Sequence, residues 1–66
     1  MFIKVNGETV EIDTGSTIED LLNLLKISKI RLAVELNGHI IPNSKLLRTP
    51  IHNEDVLEIV KAIGGG

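Results

Sequence analysis

A chain of 66 residues supports one domain only, and folding buries about 60% of the surface that so short an unfolded chain exposes, so a deep enclosed active site is not expected. The composition, 42% hydrophobic and 24% charged without cysteine, is that of a globular aliphatic core and excludes disulfides, thiolate metal sites and cysteine nucleophiles. A net charge of −2, scattered basic residues and a single aromatic, Phe2, leave neither a basic stripe nor a stacking platform for nucleic acid.

Taken in chain order, Phe2-Ile3-Lys4-Val5 and Thr9-Val10-Glu11-Ile12 alternate apolar and polar residues on either side of Asn6-Gly7, a strong hairpin signal. Ile3, Val5, Val10 and Ile12 are expected on one face, with Phe2, Lys4, Thr9 and Glu11 on the other. This early turn leaves no room for the apolar core of a secretory signal. No later apolar run approaches membrane-spanning length, so a soluble, cytoplasmic protein is expected.

Ser16, followed three residues later by Glu19, reads as a capping box opening a helix from Thr17 to about Ile27. Ile18, Leu21, Leu22 and Leu25 recur at the spacing that gathers them on one helix face, which must cover a sheet. Glu19 and Asp20 fall in the expected first turn and Lys26 in the last, as the helix dipole favours.

Leu32-Ala33-Val34-Glu35-Leu36 resumes period-two alternation and closes at Asn37-Gly38. A brief strand His39-Ile40-Ile41 stops at Pro42, whose missing amide suits a sheet edge or strand end. Asn43 to Asn53 reads as a connecting loop pinned to the core by Leu46 and Leu47. The last element, Asp55 to Ile63, is apolar on both faces, with Leu57 and Ile59 on one side and Val56, Glu58 and Val60 on the other. Strands of that kind are usually central.

The order hairpin, helix, strand, short strand, loop, strand predicts an α+β fold, a mixed sheet with one main helix packed across one face and the first and last strands as parallel neighbours. One helix covers one sheet face only. The other face is expected either to carry an apolar partner surface around Val56, Glu58, Val60 and Ala62, or to be covered by long side chains such as Lys4. Residues 1–63 form the expected domain, and Gly64, Gly65 and Gly66 a flexible tail, since glycine resists ordering more than any other residue.

Few side chains offer chemistry. His39 and His52 lack a second ligand at a metal-binding spacing, so no metal site is expected. Ser16, Ser28 and Ser44 sit in no nucleophile motif. Glu54 and Asp55 are adjacent on an extended run, point to opposite faces and read as a solvated entry to the last strand. The three glycines lack the Lys-Ser/Thr of a phosphate loop. What remains is the carboxylate of Gly66. A carboxylate becomes an acyl donor once activated, for instance as an acyl-adenylate, and five extended residues from Ala62 reach roughly 16 Å into a partner enzyme.

The residues then carry a family resemblance over nearly the whole chain: Ile3-Lys4-Val5-Asn6-Gly7, the helix with Leu21-Leu22, Ala33-Val34-Glu35-Leu36-Asn37-Gly38, Ile41-Pro42 with Ser44, and Asp55 to Val60 leading to the glycines. In these features the chain resembles the ThiS-type sulfur carrier proteins of thiamin (thiazole) biosynthesis, which have a ubiquitin-like β-grasp fold. It departs in having Leu47 where the family often has an aromatic and Glu54 where a glycine often precedes the aspartate.

The resemblance implies a carrier and not an enzyme, with no bound cofactor. A ThiF-type adenylating enzyme would adenylate Gly66 with ATP, a sulfur-donating enzyme would help convert it to a thiocarboxylate, and a ThiG-type thiazole synthase would take the sulfur. Gly66 is the implied sulfur-bearing residue and Gly65 the flexible residue before it. The alternatives are a β-grasp carrier for molybdopterin synthesis or tRNA thiolation, a protein-conjugating modifier, or a binding module with an incidental tail.

Overall fold

Two Asn-Gly dipeptides shape the sheet. Strands β1 (Phe2–Val5) and β2 (Glu8–Glu11) are joined by Asn6-Gly7, and β3 (Leu32–Leu36) and β4 (His39–Ile41) by Asn37-Gly38. In both turns the two central residues have positive φ, 50° and 84° in the first, 50° and 86° in the second. Two-residue hairpin loops of type I′ require this, because their twist then matches that of the strands, and asparagine followed by glycine meets the requirement at least cost.

The computed structural model describes residues 1–61. The sheet order is β2-β1-β5-β3-β4, where β5 is Val56–Lys61. The last strand is therefore central, as its two-sided apolar character predicts. It runs parallel to β1 and antiparallel to β3. This mixed five-stranded sheet with one α-helix is the expected α+β architecture. The short strand β4 lies at an edge, where Pro42 ends it without interrupting a ladder.

Helix α1 spans Ile18–Leu24, shorter at both ends than its apolar spacing predicts. Its N-cap is Thr17 and not Ser16. The Thr17 hydroxyl accepts the Asp20 amide at 3.2 Å, and the Asp20 carboxylate accepts the Thr17 amide at 2.9 Å, so the capping box is shifted by one residue. Ser16 instead donates its hydroxyl to the Asp13 carbonyl at 2.7 Å, holding the preceding turn. The remaining free amides at the helix start are met from afar, Ile18 by the Thr49 carbonyl and Glu19 by that of Leu46. At the other end Lys26 has φ 59°, and the bonds Ile27 N–H to Leu22 C=O and Lys26 N–H to Asn23 C=O form a Schellman closure. Lys26 thus follows the helix and does not sit in its last turn.

Thermal denaturation separates the two cap assignments. Thr17→Ala should cost about 1 kcal/mol, lowering Tm by several degrees, whereas Ser16→Ala should cost less than about 0.5 kcal/mol. Equal losses would show that the cap is wrongly placed.

The core lies between α1 and one sheet face. It comprises Ile3, Val5, Ile12, Ile18, Leu21, Leu22, Leu32, Val34, Leu46, Ile51, Leu57 and Ile59, with Val10, Leu25 and Leu36 partly buried against it. Burying one such side chain fully contributes roughly 1.5–3 kcal/mol. The long connection is pinned by Leu46 and Ile51, while Leu47 is 61% exposed, contrary to expectation. A 3₁₀ turn at Asn43–Lys45 aims Leu46 inward, and Ile51 is drawn in by its N–H bond to the Ser16 carbonyl at 2.9 Å. Glu54 has φ 70° and its N–H reaches the Phe2 carbonyl at 2.7 Å. That left-handed geometry favours glycine, which gives a physical reason for the glycine that the resemblance expects at this position.

Candidate functional site

The candidate group, the carboxylate of Gly66, lies outside the described residues, as do Gly64, Gly65 and Ala62. What the structure positions is the strand leading to them. β5 is held by β3 along its length, with Leu32 opposite Lys61, Val34 opposite Ile59 and Leu36 opposite Leu57. On its other side β1 places Lys4 opposite Val56 and Val5 opposite Leu57. Leu57 and Ile59 point into the core, and Val56, Glu58 and Val60 emerge on the uncovered face.

That face is not roofed by Lys4. Val56 remains 46% and Val60 59% exposed, with Phe2 and Ile40 exposed beside them in the sheet. The register extends the predicted surface across four strands. Ala33 sits opposite Val60, Glu35 opposite Glu58, and Ile40 opposite Glu35. Phe2, Ala33, Glu35 and Ile40 belong to this surface on the strength of their alternation, but only strand order brings them beside β5. Glu35 and Glu58 form a like-charge cross-strand pair, an arrangement that disfavours the isolated sheet. The face is thus apolar around an acidic centre.

At its start β5 is bracketed more firmly than a solvated loop-to-strand entry would be. The Asp55 carboxylate accepts the His52 amide at 2.8 Å through Oδ2 and the Asn37 side-chain amide at 3.0 Å through Oδ1. The Asp55 side chain is largely buried, which corrects the solvated reading for this residue, while Glu54 is exposed. His39 and His52 are both exposed, as expected, and no cluster of three potential metal ligands occurs among the described residues.

A five-stranded mixed sheet with a central last strand, one helix across one face and an uncovered apolar face defines a β-grasp protein of the ubiquitin-like type. The chain belongs to the ThiS family, whose profile matches residues 3–66. It is 36% identical over 66 residues to the sulfur carrier protein ThiS of Bacillus subtilis, covering 97% of this chain and 98% of that protein. It is also 38% identical over 66 residues to a thiazole synthase of Paramagnetospirillum magneticum, where all of this chain spans only 20% of that protein. Among solved structures, the thiamine biosynthesis protein (ThiS) of Geobacter metallireducens superposes with a TM-score of 0.84 at 29% identity, with both chains fully covered.

Proposed function

We propose that this chain is a sulfur carrier of thiamin biosynthesis that works through the carboxylate of Gly66. The observation that carries the reading is continuity: the central strand β5 is the element leading to Gly64-Gly65-Gly66, and the family match extends through Gly66. A ThiF-type adenylating enzyme joins the carboxylate to the α-phosphate of ATP, releasing pyrophosphate. A sulfide-level nucleophile delivered by a sulfur-donating enzyme then attacks the acyl carbon, AMP leaves, and a thiocarboxylate remains. The carrier contributes the acyl group and the surface that presents it. Its partners contribute the catalysis.

Thiazole synthase is the proposed acceptor. A segment similar to this entire chain lies within the thiazole synthase of Paramagnetospirillum magneticum. Two modules on one polypeptide meet at high effective concentration, which supports a working pair. The uncovered face around Val56, Glu58 and Val60 is the proposed docking surface for the adenylating enzyme. Its apolar area adjoins the strand that delivers the terminus, and the opposed Glu35 and Glu58 suit a cationic side chain from the partner.

The reading is tested by incubating the protein with ATP, a sulfur donor and the adenylating enzyme and weighing it intact. Replacement of one oxygen by sulfur is expected, and an unchanged mass overturns it. Capture of a molybdopterin synthase subunit in place of thiazole synthase would overturn the pathway. For the surface, Val60→Ser is expected to raise the KM for the carrier roughly tenfold, the size of a modest interface hot spot. An unchanged KM would place the docking surface elsewhere.

A further inference from the structure

β1 leaves β5 before β5 ends. The backbone bonds at the margins of their pairing run from the Lys4 amide to the Asp55 carbonyl and from the Asn6 amide to the Leu57 carbonyl, each 2.9 Å. Continuing this parallel ladder would require a carbonyl and an N–H from β1 to face Ile59. The Asn6-Gly7 turn removes them, because β2 then runs back along the far side of β1.

The side chain of Asn6 fills the missing rung. Its Oδ1 accepts the Ile59 amide at 2.7 Å, and its Nδ2 donates to the Ile59 carbonyl at 3.1 Å. A primary amide offers the acceptor and donor of a peptide group, and only one orientation of the carboxamide satisfies both bonds. The left-handed backbone of Asn6, φ 50°, turns the chain away while the side chain stays in the ladder. Asn37 does the corresponding work at the opposite end. Its backbone N–H donates to the Val56 carbonyl at 2.7 Å, and its side-chain Oδ1 accepts the Val56 amide at 2.9 Å. One asparagine therefore completes β5 at its entry on the β3 side, and the other near its exit on the β1 side.

We infer that Asn6 is a positioning residue for the carrier chemistry: acting as a surrogate peptide, it extends the parallel ladder to Ile59 and sets the path by which β5 leaves the domain toward Gly66. The inference rests on the carrier reading above. β3 alone pairs with β5 from Ala33 opposite Val60 to Leu32 opposite Lys61. Without the Asn6 clamp the exit of β5 keeps one neighbour and can pivot about it, so direction is lost before fold. The exit direction of β5 sets the region its terminus can reach, so losing that direction lowers the share of time the terminus spends in a reactive position.

Two variants and a control test this. Asn6→Asp keeps the turn and the acceptor but sets a carboxylate oxygen against the Ile59 carbonyl, and Asn6→Gly keeps the turn and removes both bonds. Asn37→Gly is the control at the far end of β5, where it keeps the turn and removes the side-chain bonds to Val56 and Asp55. Thiocarboxylate formation is followed by intact mass at a temperature where circular dichroism shows every protein folded. Both Asn6 variants should lose roughly tenfold or more in kcat with a smaller change in KM, whereas Asn37→Gly stays close to wild type. Amide hydrogen exchange should show Ile59 protected in the wild type and exposed in Asn6→Gly, with Val34 and Leu57 protected throughout.

An unchanged kcat in a folded Asn6 variant overturns the inference, as does a wild-type Ile59 amide exchanging as fast as loop amides. Should Asn6→Asp not fold, Asn6→Gly and the wild-type exchange decide. A wild type that accepts no sulfur overturns the carrier reading itself, while the exchange measurement still reports on the clamp.

Discussion

Deleting Gly65 and Gly66 is expected to abolish sulfur loading while leaving the thermal unfolding of the domain unchanged. The truncated chain still ends in a glycine carboxylate, at Gly64, so the chemical group survives and only its position changes. Two extended residues span at most roughly 7 Å, and the acyl carbon falls short of the adenylating centre by up to that distance. Since errors of about 1 Å can cost on the order of 100-fold, loading should drop below detection by intact mass. Every buried core residue among those described lies between Ile3 and Ile59, so the deletion removes none of that packing. Full loading of the truncated chain would mean that the carboxylate of Gly66 is not the functional group, and a large fall in Tm would mean that the two glycines support the fold.

Leu57→Ala should have the opposite profile. Leu57 is fully buried in the central strand, with Val5 on one side and Leu36 on the other. Truncation removes three carbons where neighbours on both sides are fixed by the sheet, so collapse around the cavity is limited and the cost is roughly 2–5 kcal/mol. A domain of this size has only about 3–10 kcal/mol of total stability. Tm should fall by more than about 10 °C, given about 4–8 °C per kcal/mol for domains of this length. Sulfur loading should fail only as the folded fraction falls and should recover on cooling toward the temperature of maximum stability. An unaltered Tm would show that the inward face of β5 is wrongly assigned. The pair of variants separates the group that reacts from the platform that holds it.

The elements set by local chemistry were legible. Asn6-Gly7 and Asn37-Gly38 demanded two-residue turns, and the alternation around them placed Ile3, Val5, Val34 and Leu57 inward, as observed. The two-sided apolar character of β5 located the sheet centre before any strand order was known. Errors arose where two residues competed for one role. Ser16 and Thr17 can each cap a helix, and Thr17 has it because Asp20, not Glu19, returns the second bond. Leu47 and Ile51 can each anchor the long connection. The 3₁₀ turn and the bond from the Ile51 amide to the Ser16 carbonyl chose Ile51. For the candidate site, Val56, Glu58 and Val60 were readable from period two alone, whereas Phe2, Ala33, Glu35 and Ile40 join them only through the order β1-β5-β3-β4.

By itself the amino-acid sequence determined the fold class, the two faces of β1, β2, β3 and β5, the family and the terminal glycine as the candidate group, because each rests on neighbouring residues, on periodicity or on a pattern carried along the whole chain. Only the tertiary structure decided that the face away from the helix stays uncovered and that Asn6 closes a rung on Ile59, 53 residues away. An asparagine in a tight turn reads fully as a turn residue. Its carboxamide acquires a second partner only when a distant strand arrives beside it with an N–H and a carbonyl still to satisfy.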